Sequence, residues 1–111
     1  MEDKDVFILE VIIDFCDRII KSIDEHDGDF NAFENDLDFQ DACMMRALQI
    51  GENVNSLSSS FKNKHPEMPW HQIVGLRNII AHEYGSIDNI IVWNTLTKHI
   101  PQLRDFCIKQ I

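Results

Sequence analysis

Between residues 5 and 24 the apolar side chains recur at steps of three and four. Ile8, Ile12, Phe15, Ile19 and Ile23 form one stripe, and Leu9, Ile13, Cys16 and Ile20 form a second beside it. The segment therefore reads as a helix whose apolar surface is wider than one contact needs. Such a helix must bury more than one face. It is either the central helix of a bundle or a helix whose second face packs on another subunit, and the pattern suits both.

The rest of the chain continues in helices. Residues 25–36 read as a polar connector anchored by Phe30 and Phe33. A second helix is expected to begin near Asp36 or Asp38, where an aspartate can cap it, and to run to about Lys62. Phe39, Cys43, Ala47, Ile50, Val54, Leu57 and Phe61 mark its buried stripe. Gly51 falls inside it and costs about 1 kcal/mol relative to alanine, so it signals a close approach, by another helix before a ligand.

His65-Pro66 and Met68-Pro69 break the pattern, because a residue before proline avoids the helical region. Pro69 suits the first position of a third helix starting around Trp70, with Ile73, Leu76 and Ile80 inward and Gly85 placed to end it after Tyr84. Asp88 can cap a fourth, with Ile90, Trp93, Leu96, Ile100 and Leu103 inward. Pro101 must kink that helix or restart it. The expected fold is all-α, an antiparallel bundle of four to five helices forming one domain over residues 1–111.

Only four Gly and three Pro leave little room for loops. No apolar run approaches the ~20 residues of a membrane span, and the opening Met-Glu-Asp-Lys-Asp lacks a signal-peptide pattern, so a cytoplasmic protein is expected. Cys16, Cys43 and Cys107 are odd in number and lie in apolar helical stretches, which fits reduced packing residues better than disulfides or a zinc site.

A net charge of −9 opposes binding to nucleic acid, yet it is unevenly spread. Residues 1–41 hold fourteen acids and three bases, and residues 42–111 five acids and seven bases. The acidic part fits a basic protein partner or solubility. Lys62, Lys64, His65 and His71 are candidates for a modest basic rim in the other part.

In that less acidic part lies Arg77-Asn-Ile-Ile-Ala-His-Glu-Tyr84, with the chain's only tyrosine. A permanent cation suited to phosphate oxygens stands near a side chain that exchanges protons near neutrality. The pairing suggests phosphodiester chemistry without a metal, and no clustered carboxylates suggest a two-metal nuclease. On an ideal helix Arg77 and Tyr84 share a face about 10 Å apart, and Asn78 and His82 share another. Arg77 and His82 diverge by roughly 140°. They can converge through the reach of arginine, a distorted helix end near Gly85, or a two-fold interface that brings two copies into one cleft.

The segment Met68-Pro-Trp-His-Gln-Ile-Val-Gly-Leu-Arg-Asn-Ile-Ile-Ala-His-Glu-Tyr84, continued by Ser86-Ile-Asp88 and Trp93, resembles the HEPN superfamily and within it the HepT-like branch. Upstream, Arg46-Ala-Leu-Gln-Ile-Gly-Glu52 resembles that branch's second-helix signature. The likeness covers most of residues 39–106. It implies a homodimeric, metal-independent endoribonuclease toxin with the motif at the subunit cleft and no cofactor. Arg77 and His82 would carry cleavage with Asn78 in support. The implied partner is a minimal nucleotidyltransferase antitoxin that attaches AMP to Tyr84. Some relatives in this superfamily are non-catalytic nucleotide- or protein-binding subunits, and that is the alternative reading.

Overall fold

In the computed structural model, which describes residues 1–111, the N-terminal apolar segment is helix α1 (Asp3–Glu25). Its Leu9, Ile12, Cys16 and Ile19 are fully buried. Packing against both α3 (Leu37–Ser56) and α7 (Ile100–Gln110) accounts for the width of its apolar surface within a single chain. Phe7, at 67% exposure, stays outside.

Paired residues give the directions of the helices. Asp5 on α1 meets Ser58 just beyond α3, whereas Arg46 of α3 donates to Ser22 Oγ at 2.7 Å and to the Arg18 carbonyl at 3.3 Å. Thus α1 and α3 run antiparallel. Further on, Arg77 and Tyr84 of the next segment meet Glu52 and Asp41 of α3 in reverse order, so α5 (Trp70–Glu83) is antiparallel to α3. An ion pair between Asp17 and Arg104 fastens α7 along α1. The expected all-α antiparallel bundle is the architecture found.

Two short helices depart from expectation. The connector at residues 25–36 contains α2 (Phe30–Asn35), capped by the Asp29 side chain, which accepts from the Asn31 N–H at 3.1 Å. Asp27 and Gly28, with φ of 57° and 63°, make the reversal before it. The helix expected to reach Lys62 ends at Ser56 and restarts as α4 (Ser59–Lys64). Ser58 causes the break. Its hydroxyl accepts from the Phe61 N–H at 3.2 Å while its own N–H and hydroxyl donate to Asp5 at 2.9 and 2.7 Å, so it serves as cap and anchor together.

Asp88 caps α6 (Asn89–Asn94) as expected. A π turn, Thr95–His99, then leads into α7. Pro101 sits in the first turn of α7, and residue 97, whose carbonyl a proline ring would strike in a regular helix, lies inside the wider turn. The expected inward position of Ile90 is not found. It is 57% exposed, and Val92, Leu96, Ile100, Leu103 and Cys107 form the buried row instead.

One cluster of 22 buried apolar side chains joins these helices into a single core. Trp93 packs against Phe30, Phe33 and Phe39, and Trp70 against Phe61 and Phe106, with its indole N–H donating to the His65 carbonyl at 2.9 Å. Both tryptophans are packing anchors. The three cysteines are buried and free. No helix is long and apolar enough to cross a membrane.

Candidate active site on helix α5

Helix α5 owes its position to Gly51. A Cβ built on that glycine would stand 2.2 Å from the Cβ and 3.4 Å from the Cα of Arg77, so only glycine lets the two backbones lie this close. The expected close approach of another helix is what Gly51 permits. Adjacent to it, Glu52 takes both the Nε and an Nη nitrogen of Arg77 in a half-buried ion pair. A third nitrogen, Nη1, donates to Asn78 Oδ1 at 2.7 Å. The guanidinium is thereby held on two edges by charge-assisted contacts, with one carboxylate oxygen, Oε1 of Glu52, shared by two of its nitrogens.

Tyr84 begins the single 3-10 turn, Tyr84–Ser86, that follows α5. Gly85 does not adopt a left-handed conformation, so the helix ends by tightening rather than through a glycine cap. The Tyr84 hydroxyl donates to Asp41 on α3. Partial burial, the hydrogen bond to Asp41 and the nearby negative charge push the phenol up to about 12. Beside this pair lies a mostly apolar hollow of about 410 Å³ lined by Met45, Leu48, Ile80 and Ala81. Arg77 and Tyr84 therefore do share the side of α5 that faces α3.

His82 is exposed on another side of the helix. The structure brings Arg77, Asn78 and Glu52 together and leaves His82 apart, as the angular separation requires within one chain. Asn78 bonds Arg77, not His82. Glu83 is exposed. Sequence reasoning gave Glu52 and Asp41 no role, although the step from Gly51 to Glu52 was a usable signal: a glycine that admits a helix sets its neighbour against that helix.

The proposed basic rim is divided. Lys64 and His65 border a hollow with Glu2 and Asp5, whereas His71 lines a separate groove between α5 and the π turn. His65 pairs with Glu67 at 3.3 Å, and His26 stacks on Phe39 at 3.7 Å between ring centres. No three His, Cys, Asp or Glu side chains converge where a metal ion could sit.

The HepT-like ribonuclease family matches residues 8–110. Among curated relatives, "Putative RNase MJ1380" of Methanocaldococcus jannaschii is 38% identical over 79 residues, 70% of this chain and 72% of that protein. "Putative RNase TTE0752" of Caldanaerobacter subterraneus subsp. tengcongensis is 34% identical over 95 residues, 86% of this chain and 83% of its own length. "Probable ribonuclease HepT" of Thermococcus cleftensis is 36% identical over 62 residues, covering 55% of this chain and 56% of that one. No solved structure matches the chain. With the family spanning nearly every helix of the bundle, this chain belongs to the HepT-like ribonucleases of the HEPN superfamily.

Proposed function

We propose that the chain is a metal-independent endoribonuclease toxin acting as a homodimer, with Arg77 and His82 as its catalytic residues. The observation that carries the reading is the rigid seat of Arg77: an arginine oriented by Glu52 and Asn78, inside a family of ribonucleases, is suited to bind a phosphate that reacts. His82, exposed one turn and a half further along, supplies proton transfer. A two-fold arrangement brings the Arg77 of one subunit near the His82 of the other, which the divergence on one helix prevents.

The chemistry needs no metal. The RNA 2'-hydroxyl attacks its own neighbouring phosphorus, and its proton passes to one imidazole. The P–O5' bond breaks as a second imidazole or a water protonates the leaving oxygen, which yields a 2',3'-cyclic phosphate. General acid-base help of this kind contributes typically ~10²- to 10⁴-fold. Arg77 stabilises the charge that grows on the phosphoryl oxygens.

Tyr84 is the regulatory residue in this account. A minimal nucleotidyltransferase antitoxin joins its oxygen to the α-phosphorus of ATP with release of pyrophosphate, and Asp41 is positioned to receive the phenol proton. The attached anion then lies on the side of α5 that also carries Arg77, where it competes with RNA phosphate. Cleavage assays on the unmodified chain test the reading: Arg77→Ala and His82→Ala should each lose at least about 100-fold. Wild-type rates in both variants would overturn it.

A further inference from the structure

Two glycines lie in the long helices of the site, and only one has an internal reason. Gly51 makes room for Arg77, but a Cβ on Gly75 would meet nothing within 4 Å. A residue that weakens a helix without relieving a contact inside the protein points to something outside it. Gly75 lines the groove between α5 and the π turn, a hollow of about 380 Å³, within the range of ligand clefts.

The lining is unusual for this chain. The protein has 19 Asp and Glu, yet none borders this groove. Its apolar lining is the buried Leu76 with Ile79 and the exposed Ile91, and its polar groups are His71, Gln72, Asn94, Thr95 and His99. The Nδ1 atom of His99 is buried without a hydrogen-bond partner, whereas nearly all such atoms have one. It belongs to the π turn, an irregularity often retained at functional sites. Beyond Ile79 and Ile91 the neighbouring hollow contains Glu83 and Asp88, which disfavour a phosphate at that end.

We propose that this groove is a nucleobase subsite for single-stranded RNA, next to the bond that is cut; the assignment rests on the ribonuclease reading above. An apolar lining with amide, hydroxyl and imidazole groups matches an unpaired base: amides offer donors and acceptors to its edge, and an imidazole can stack on its face. The helix supplies the path. His71, Gly75, Asn78 and His82 fall within about 60° of one another around α5, so a strand whose phosphate lies at His82 runs past Asn78 and Gly75 towards His71, about 16 Å away along the axis. The base enters over Gly75 because no side chain stands there.

The test uses a 2'-O-methyl octaribonucleotide of mixed sequence, which cannot be cut because its attacking hydroxyl is blocked, with affinity read by fluorescence anisotropy. Gly75→Leu adds apolar bulk on the groove from a Cβ that meets nothing within 4 Å, and with the helix propensity it gains should keep or raise the thermal midpoint while weakening the octamer at least tenfold. The double variant Gln72→Ala/Asn94→Ala, at two exposed positions, should weaken it similarly. Unchanged affinity in both, or no binding to the wild-type chain, would overturn the subsite. So would a Gly75→Leu chain that changes oligomeric state at unchanged affinity, since the groove would then be a subunit contact. Cleavage assays on the same proteins separate the two claims. Wild-type cleavage with unaffected variants removes the subsite and keeps the nuclease, and groove-dependent binding without any cleavage does the reverse.

Discussion

Gly51 and Arg77 pack so closely that a methyl group on the glycine would lie 2.2 Å from the arginine Cβ. The contact couples the position of α5 to that of α3 at the residue proposed to hold the phosphate. Gly51→Ala gains helix propensity of about 1 kcal/mol, but the clash falls on atoms next to the backbone, which cannot swing away. Overpacking of this kind costs about 1–3 kcal/mol. The variant should unfold at lower temperature and lose cleavage, as thermal denaturation and an RNA assay will read. A higher thermal midpoint would mean that α5 is not held as described.

Glu52 is the second half of the same device. In Glu52→Gln the ion pair with Arg77 is lost while the fold, to which an intermediate-exposure pair adds little, remains. A misplaced guanidinium should lower kcat about 10- to 100-fold. Steady-state kinetics check it, since a change confined to KM would point to RNA binding alone.

Because Tyr84 is the only tyrosine, phenolate absorbance reports on it directly. Ionisation should be delayed to about pH 12, and Asp41→Asn, which removes the charge but keeps an amide oxygen as acceptor and leaves the burial in place, should bring it only part of the way back towards the ordinary value of 10.0. The folded value lies above the unfolded one. The stabilisation is therefore complete below about pH 10 and is lost as the pH rises towards 12.

Asp5 carries the opposite dependence. Burial pushes its carboxyl up, but the N–H and hydroxyl of Ser58 outweigh that and leave it below the usual carboxylate value of 3.8. Stability from this contact is present above pH ~4 and lost as the pH falls through the lowered value. Asp5→Ala leaves the start of α4 without its acceptor and should cost about 1–3 kcal/mol in urea unfolding at neutral pH.

The thiols should be silent. Burial raises Cys16, pushes Cys43 up to about 11 and Cys107 up to about 12. An aromatic disulfide reagent at pH 8 should find no reactive thiol in the folded chain and three after unfolding.

What the sequence made legible follows from periodicity. Helices α1, α3 and α5 carry apolar residues at helical spacing, and their existence and partners could be read from it. The short helices could not, because α2 and α4 are too brief to show a period. Their caps, Asp29 and Ser58, were not singled out, and Ser58 sits in a Ser-Leu-Ser-Ser-Ser run that gives no hint of Asp5 across the bundle. Ile90 was misplaced because a regular helix was assumed. The buried row 92, 96, 100 advances by two steps of four, a drift that the π turn absorbs. At the site, the motif on α5 was plain, whereas Glu52 and Asp41 join it only through tertiary packing.

The most direct test of the central claim is end-group analysis of RNA incubated with the unmodified chain in excess chelator, beside His82→Ala. The account predicts 2',3'-cyclic phosphate and 5'-hydroxyl ends from the wild-type chain and none from the variant. Intact RNA, from a chain whose measured mass excludes AMP on Tyr84, would contradict it and leave the non-catalytic partner subunit as the reading.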